Sequence, residues 1–217
     1  MDQCGVIFDL DGVIVDTKEA HFSSFEKLGE EAGYTITHEQ FKGLFGRRNA
    51  DIFPVLFGHP LSGEELDRLS GRKEAIFREM VRGCVQPLPG VCALLPALKD
   101  AGFSLAIGSS TPRANIDLIL NELGIMPYFS AIAAAEDVTR GKPDPQVFLC
   151  AAQRLGVPPA HCVVVEDAVA GVQAALNGGM KALAVTTNHS REDLHEATRV
   201  VDSLEEVAPQ DFLAMLQ

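Results

Sequence analysis

The sequence predicts an α/β protein with a doubly wound parallel sheet, into which a helical domain is inserted. Short apolar runs alternate with helical patterns along the chain, and one connection between two runs is too long for a crossover helix. The predicted strands are apolar on both faces, as strands of a parallel sheet covered by helices must be. They comprise residues 4–8, 103–107, 131–134, 162–165 and 182–185.

Helix boundaries between the predicted strands are marked by capping residues. Thr111 is a good N-cap for a helix with Pro112 at its first position, and Gly124 closes that helix. An Asp-Pro pair at residues 144–145 predicts another helix start, with Gly156 at its end. Alternation of strands and helices in this way implies right-handed crossovers.

The long connection separates the first predicted strand from the second by roughly 95 residues, and about the first 70 look helical only. Two capping boxes, at residues 37–40 and 62–65, predict helix starts within it. We therefore expect a helical domain at residues 17–86, inserted into an α/β domain made of residues 1–16 and 87–217. One helix face of the insertion is apolar, at Leu66, Leu69, Ile76, Phe77, Met80 and Cys84.

The composition is that of a soluble globular protein, with 47% hydrophobic and 22% charged residues in 217. A formal net charge of −12 argues against nucleic-acid and membrane partners, because phosphate backbones require a basic face. A small phosphorylated substrate is still allowed, since a few local cations can overrule the global sign. The five cysteines form no C-x-x-C pair, which favours a reduced, cytoplasmic protein, and we expect a monomer or weak dimer.

The strongest functional signal is the segment VIFDLDGVIVDT at residues 6–17. A buried strand delivers Asp9 at its carboxyl end, Asp11 follows two residues later, and Gly12 permits a tight turn. Ligands of open α/β sheets bind outside the carboxyl ends of the strands. One aspartate there would indicate an ordinary acidic turn, whereas two that bracket an apolar residue favour a functional site.

Three further strand ends carry polar groups at the same edge of the sheet. The second strand ends at residues 108–111, where hydroxyls and free backbone N–H groups precede a helix and suit a phosphate. The third leads into a loop that contains Lys142. The fourth ends at Glu166 and Asp167, two carboxylates that are costly as structure and natural as ligands of a hard cation.

Phosphoryl transfer is the chemistry that these residue types favour. A carboxylate is ionised at neutral pH, so it can attack phosphorus without a base to activate it. Mg²⁺ and one lysine would offset its repulsion from an anionic phosphate. The second aspartate can protonate the leaving alkoxide and later deprotonate the attacking water.

These motifs resemble those of the haloacid dehalogenase superfamily, in particular the branch that contains β-phosphoglucomutase, phosphoglycolate phosphatase and sugar-phosphate phosphatases. Four motifs occur in the family's order along nearly the whole chain: DLDGV, the strand end at Ser109, GKPDP and VVVEDA. The resemblance implies a Rossmann-like core with an α-helical cap inserted after the first strand. The helical insertion at residues 17–86 matches this cap in position.

The resemblance also implies roles for the residues of the core. Asp9 is then the nucleophile and Asp11 the general acid/base, while Ser109, its neighbour Ser110 and Lys142 bind the transferring phosphate.

Magnesium is the cofactor that the resemblance implies. It would lie on the Asp9 carboxylate, the Asp11 backbone carbonyl and Asp167, with Glu166 close by through water.

Substrate contacts are expected from the cap. His21 lies where the family often has a histidine that faces the active site. Arg48 resembles the cap arginine that grips a distal phosphate in β-phosphoglucomutase, with Arg47 as the alternative. Lys73 resembles that enzyme's cap lysine, with Arg72 beside it as the alternative.

The loop after Ser110 is expected to add contacts through Thr111 and Arg113. Here the chain departs from the mutase pattern, because Pro112 stands where the mutases have a lysine. The sequence therefore favours a Mg²⁺-dependent phosphatase of small metabolites, such as sugar or polyol phosphates, over a phosphomutase.

Other classes of protein explain fewer of these residues. A dehalogenase needs no acid and would leave Asp11 and the magnesium carboxylates without a task. A phospho-aspartate receiver is about half this length, and a 70-residue cap would block its partners. A catalytically dead protein is disfavoured because no member of the core constellation is missing.

Overall fold

A six-stranded parallel sheet forms the centre of the fold in this computed structural model, which describes residues 3–217. The strand order is β3-β2-β1-β4-β5-β6, so the predicted α/β fold class is confirmed. The strands are β1 (Gly5–Phe8), β2 (Ser104–Gly108), β3 (Ala131–Ala133), β4 (Cys162–Glu166), β5 (Lys181–Val185) and β6 (Arg199–Val201).

The register of β1 sets the position of the functional residues. Phe8, the last residue of β1, lies opposite Ile107 of β2 and Val165 of β4. Because all three strands run parallel, they end at the same level, and the residues that follow them emerge side by side. The order of β1, β2 and β4 also makes this the place where the chain switches direction across the sheet, the usual ligand crevice of open α/β folds.

Helices cover both faces of the sheet. Side chains of β1 alternate between the two sides, with Val6 and Phe8 in one apolar cluster and Ile7 in the other. The first cluster includes α5 (Val91–Asp100), α6 (Arg113–Glu122) and α9 (Pro209–Met215), and the second includes α7 (Gln146–Leu155) and α8 (Val169–Asn177).

The segment between β1 and α5 is helical, as expected. It contains α1 (Lys18–Ala32), α2 (His38–Phe41), α3 (Asn49–Phe57) and α4 (Gly63–Val81). Apolar side chains of these helices form a cluster of their own, centred on Phe25, Phe53 and Ile76. A bridge between Val15 and Pro87 joins the two ends of the segment. We call residues 17–86 the cap; the limits of the two domains stay a prediction.

Several local expectations need correction. A sixth strand was missed because it is only three residues long and starts with an arginine. The helix expected after Thr111 begins at Arg113, with Pro112 flanking it. In α4, Met80 is 37% exposed because the buried stripe of this helix passes through Leu69, Ile76 and Phe77 instead; Cys84, beyond the end of α4, is exposed too.

The two predicted capping boxes differ in the structure. Thr37 and Gln40 form the full reciprocal box at the start of α2. At α4 the Ser62 hydroxyl accepts from the Glu65 backbone N–H, and this half of the box is the one observed.

Among the described residues, no helix is both long and apolar enough to cross a membrane.

The β4–α8 unit has one close approach that only glycine permits. A Cβ on Gly171 would lie 1.9 Å from Oε1 and 2.0 Å from Cδ of Glu166, the last residue of β4. Glu166 is fully buried, so its carboxylate has little room to move away. The side chain of Glu166 therefore lies flat against the first turn of α8.

Replacing this glycine gives a stability prediction. We expect Gly171→Ala to lower the free energy of unfolding by about 1–3 kcal/mol through overpacking, although alanine is the better helix former. Gly71→Ala in α4 is the matched control, because a Cβ there meets nothing within 4 Å. It should raise the free energy of unfolding by about 1 kcal/mol. Urea unfolding of both variants tests this difference, and equal stabilisation would contradict the close contact.

Candidate active site

The residues after β1 form a tight turn against the end of β4. Gly12 has φ = 82°, and a Cβ at this position would lie 2.1 Å from Oδ2 of Asp167. Glycine is therefore required twice, for the left-handed backbone and for the approach of the carboxylate. The turn brings Asp9 and Asp11 next to Asp167, all three being buried.

Lys142 is buried between two carboxylates. Its Nζ donates to Oδ2 of Asp9 at 2.8 Å and to Oε1 of Glu166. The ring of Phe148 lies below the ammonium group, 4.8 Å from Nζ to the centroid. Burial lowers the pKa of Lys142, but the two carboxylates more than offset this and raise it, which favours the charged ammonium group.

Both oxygens of Glu166 are already in use. Oε1 accepts from Lys142, while Oε2 accepts from the backbone N–H groups of Asp167 and Ala168 at 2.7 and 2.8 Å. Glu166 therefore orients the lysine and the loop after β4. The expectation that Glu166 lies near a metal without binding it directly stays a prediction.

Three carboxylates at this edge could hold a cation. Oxygen atoms of Asp9, Glu166 and Asp167 lie within 4.8 Å of one another. Lys142 supplies one positive charge against three negative ones. Burial and the neighbouring Glu166 and Asp11 raise the pKa of Asp9 to about 7, although Lys142 lowers it.

The pKa of Asp167 is raised for the same reasons, first burial and then Glu166. Asn188 partly opposes this by donating to Oδ2 of Asp167 at 2.7 Å, and Nδ1 of His189 lies 3.0 Å from the Asp167 backbone oxygen. A buried, oxygen-only, under-neutralised cluster fits a hard divalent cation.

Asp11 has a different environment. Its Oδ1 accepts from the Thr17 hydroxyl and its Oδ2 from the Thr111 hydroxyl, while Nε2 of His21 lies 3.4 Å from Oδ1. Burial alone would raise the pKa of Asp11, but His21 and the two hydroxyls more than offset burial and lower it to about 2. Because its side chain is fully engaged, Asp11 could contribute only its backbone carbonyl to a cation.

The expected phosphate-binding residues follow β2 at the same edge. Ser109 and Ser110 are buried, and both line a small cavity beside Asp9 and Asp11. The Ser109 hydroxyl accepts from the backbone N–H of Thr111 at 3.3 Å. The structure thus brings Asp9, Asp11 and the residues after β2 to one point, as their positions at strand ends require.

His21 and Lys73 close this cavity from the cap side. The His21 ring stacks on Phe77, with centroids 4.0 Å apart. Nζ of Lys73 lies 2.7 Å from Nδ1 of His21 and 2.9 Å from Oε1 of Glu74. Lys73 is only 1% exposed, and burial lowers its pKa although Glu74 opposes this.

The two cap arginines have different positions. Arg47 lines the cavity, and its side chain forms no ion pair or hydrogen bond with any described residue. Arg48 instead pairs with Asp51 through Nε at 3.0 Å and donates to the backbone oxygen of Val138 in the core. Arg48 is therefore not among the cavity-lining residues, and the alternative Arg47 is.

Two other expected contacts also lie away from the cavity. Arg72 forms an ion pair with Glu31 on the cap surface, with Nη2 2.6 Å from Oε1. Arg113 forms an ion pair with Asp117, one turn along α6, and is not among the cavity-lining residues.

The inner cavity measures about 30 Å³, room for a few water molecules at most. Its walls are aromatic on the cap side, at Phe25, Phe41 and Phe45. Next to it, a cleft of about 840 Å³ runs from Asp9 and Lys142 to the outside between cap and core. A sugar phosphate exceeds the inner cavity, whereas the cleft that reaches Asp9 and Lys142 is large enough to admit one.

Sequence reasoning missed four residues of this site. Thr17 is the last residue of the first motif, so its position in the sequence could have indicated that it belongs to the site. Glu74, Asn115 and Asn188 had no such signal, because each gains its partner only through tertiary packing.

Comparisons with known proteins agree with this geometry. The sequence profile described as haloacid dehalogenase-like hydrolase matches residues 6–185. The chain is 34% identical over 187 residues to the β-phosphoglucomutase of Bacillus subtilis, covering 83% of this chain and 82% of the relative. It is 35% identical over 185 residues to the fructose-1-phosphate phosphatase of Escherichia coli, covering 83% and 95%.

A solved structure agrees as well. The crystal structure of a β-phosphoglucomutase from Clostridium difficile superimposes with a TM-score of 0.87 at 30% identity, covering 100% of this chain and 97% of that one. Sequence match, fold and the arrangement of the strand-end residues thus lead to one conclusion: this chain belongs to the haloacid dehalogenase-like hydrolases.

Proposed function

We propose that the protein is a Mg²⁺-dependent phosphatase that hydrolyses small phosphorylated metabolites, such as sugar or polyol monophosphates, through an aspartyl-phosphate. One observation carries the proposal: the Asp9 carboxylate lies at the end of β1 between Lys142 and the acid cluster, and it faces the same cavity as Asp11. A nucleophile, a cation for the phosphate and a proton-transfer group are thus within reach of one bound phosphate.

Asp9 supplies the nucleophile. One carboxylate oxygen accepts from the Leu10 backbone N–H at 2.8 Å and the other from Lys142, so the group is held in one orientation. In the first step an Asp9 oxygen forms a bond to phosphorus while the bond to the substrate alkoxide breaks. Lys142 and the hydroxyls of Ser109 and Ser110 hold the phosphoryl oxygens.

The carboxylates of Asp9 and Asp167 would hold Mg²⁺, with the Asp11 backbone carbonyl as a further ligand. When bound, it supplies positive charge that lowers the repulsion between the nucleophile and the phosphate. Glu166 then keeps Lys142 in place beside it.

Asp11 moves the proton. A phosphate dianion beside Asp11 raises its proton affinity by like-charge repulsion, which suits a donor to the leaving alkoxide. Once the alcohol has left, Asp11 is a carboxylate held by Thr17, Thr111 and His21, and it accepts a proton from the water that hydrolyses the aspartyl-phosphate.

The charges of the cavity favour a phosphatase over a mutase. A mutase must hold a bisphosphate, whose second phosphate needs cations in the cap. The charge of Lys73 is neutralised by Glu74, and that of Arg48 by Asp51. Among the described residues that line the inner cavity, this leaves Arg47 as the lysine or arginine whose charge no carboxylate neutralises, and one such cation is less positive charge than a second phosphate dianion requires.

The nucleophile is tested by Asp9→Asn. We expect turnover to fall to the background, since the carboxamide has nearly the same shape but cannot attack. Phosphate release from a panel of sugar and polyol phosphates is the measurement, and unfolding in urea verifies the fold. Retention of a substantial fraction of wild-type activity would exclude Asp9 as the nucleophile. Isomerisation primed by a bisphosphate, with little phosphate released, would instead identify a mutase.

The metal is tested through stability as well as activity. The pKa of Asp9 is raised to about 7 from 3.8, so between these values the folded state binds more protons than the unfolded state. Stability without metal should therefore fall as pH rises through this window. Mg²⁺ binds the ionised form of the carboxylates. The rise in Tm that added Mg²⁺ causes should therefore be larger at about pH 8 than at about pH 5.

Asp9→Asn should reduce this pH dependence, and excess chelator should abolish wild-type activity until Mg²⁺ is restored. A Tm that does not respond to Mg²⁺ at either pH would contradict the site.

Substrate recognition is tested on the adjacent arginines. Arg47→Ala should lower kcat/KM for the best sugar phosphate by about 10–100-fold, since hydrogen bonds to charged groups contribute about 1.5–3 kcal/mol. Hydrolysis of p-nitrophenyl phosphate should change far less, because it has no hydroxyls for Arg47 to bind. Arg48→Ala is the control: loss of its contact with Val138 should affect both substrates alike. If Arg48→Ala lowered kcat/KM for the sugar phosphate but not for p-nitrophenyl phosphate, Arg48 would be the residue that recognises the substrate.

A further inference from the structure

A buried hydrogen-bond network crosses from the cap to the core beside the inner cavity, through residues to which the proposed chemistry assigns no step. Its centre is Glu74 of α4, which is 5% exposed. Oε1 of Glu74 accepts from Lys73 and from the Asn49 amide at 2.9 and 2.7 Å. Oε2 accepts from the amide of Asn115 at 2.5 Å. Three donors from three helices therefore converge on one carboxylate.

Asn115 belongs to the core helix α6 and is fully buried. Its amide nitrogen donates to Glu74, and its carbonyl oxygen accepts from Nη1 of Arg78 at 2.8 Å. Glu74 and Arg78 lie one turn apart on α4. One core side chain is thus held from both ends by one cap helix, which fixes the position of α4 along α6.

The same network leads to the active site. Lys73, which Glu74 holds, contacts His21, and His21 contacts Asp11 of the core. Polar contacts at Asp11 and at Asn115 therefore join the cap to the core here, in addition to the contact of Arg48 with the Val138 backbone oxygen. The inner cavity beside Asp11 is too small for a sugar phosphate, so a substrate that occupies it would displace the cap, and both contacts lie on the boundary that would then open.

A closed cap in which Glu74 lacked one of its hydrogen-bond donors would be unfavourable in free energy. The pKa of Glu74 is lowered, because Lys73, His21 and Asn49 more than offset the effect of burial, so the group stays ionised. A buried carboxylate that loses a donor keeps its desolvation penalty, whereas in an open cap water replaces the donor. Loss of the Asn115 donor should therefore shift the equilibrium toward the open cap.

We propose that Glu74 and Asn115 form a latch that holds the cap closed over the active site, with Glu74 as the positioning residue for Lys73 and His21. The latch itself follows from the contacts between α4 and α6, while its kinetic consequence rests on the proposed phosphatase function.

Asn115→Asp is the first test. It is nearly isosteric and keeps the acceptor for Arg78, but it puts a carboxylate against Glu74. We expect a larger radius of gyration by small-angle X-ray scattering without substrate, and faster amide exchange in α4. For a sugar phosphate, kcat/KM should fall about 10–100-fold, mainly through KM, because bound substrate compensates for the weaker latch.

Asn121→Asp is the matched control. Asn121 is an exposed asparagine on the same helix that bonds to the Asp117 backbone oxygen, so this change should leave scattering and kinetics as in the wild type.

The second test reverses the polarity of the latch. In the double variant Glu74→Gln/Asn115→Asp, the amide at position 74 can donate to the carboxylate at position 115, while its oxygen still accepts from Lys73 and Asn49. The radius of gyration and KM should return toward the wild-type values. Glu74→Gln alone should lower kcat more than KM, since Lys73 loses its charged partner, and Glu79→Gln, an exposed change on the same helix, should alter neither.

The outcomes separate the latch from the proposed function. Unchanged scattering and exchange in folded Asn115→Asp would overturn the latch whatever the activity. Failure of the double variant to restore closure would overturn the pairing. If the wild type released no phosphate, the proposed function would fail, whereas the scattering and exchange results would still decide the latch.

Discussion

Burial of several carboxylates at one edge of a sheet is the constraint on which the rest of the structure depends. Asp9, Glu166 and Asp167 lie together with one lysine, so their charge is only partly neutralised. Glu166 reduces the cost by accepting from Lys142 and from two backbone N–H groups. Burial and the remaining excess of negative charge raise the pKa of Asp9 and Asp167. A bound cation would neutralise this excess.

Two aspartates two residues apart acquire opposite properties from their surroundings. Asp9 faces other carboxylates and has a raised pKa, whereas Asp11 faces hydroxyls and His21 and has a lowered one. Such a separation of pKa values is what the proposed roles require, with Asp9 as a nucleophile beside a cation and Asp11 as the group that exchanges protons. The cap contributes to it directly, since Nε2 of His21 lies 3.4 Å from Oδ1 of Asp11. The cap therefore acts on Asp11 through a polar contact as well as through apolar packing.

The core of the site could be predicted because it depends on local rules. Apolar runs mark buried parallel strands, and parallel strands in register end at one level, so residues 9, 109 and 166 must be neighbours. The cap could be predicted only as a helical segment. Arg47 and Arg48 are adjacent in sequence, yet one lines the cavity and the other pairs with Asp51. A polar helix face does not reveal which of its charges is neutralised nearby.

The sequence by itself determined the α/β class, the helical insertion and the carboxylates at the strand ends. These follow from hydrophobic periodicity and from the few residue types that bind phosphate and hard cations. Only the tertiary structure decided which cap cations stay free, how Glu166 holds Lys142, and that Glu74 meets Asn115 across 41 residues of chain. The physical reason is that charge pairing and side-chain burial depend on how the cap and the core pack against each other. This packing leaves no periodic pattern in the sequence.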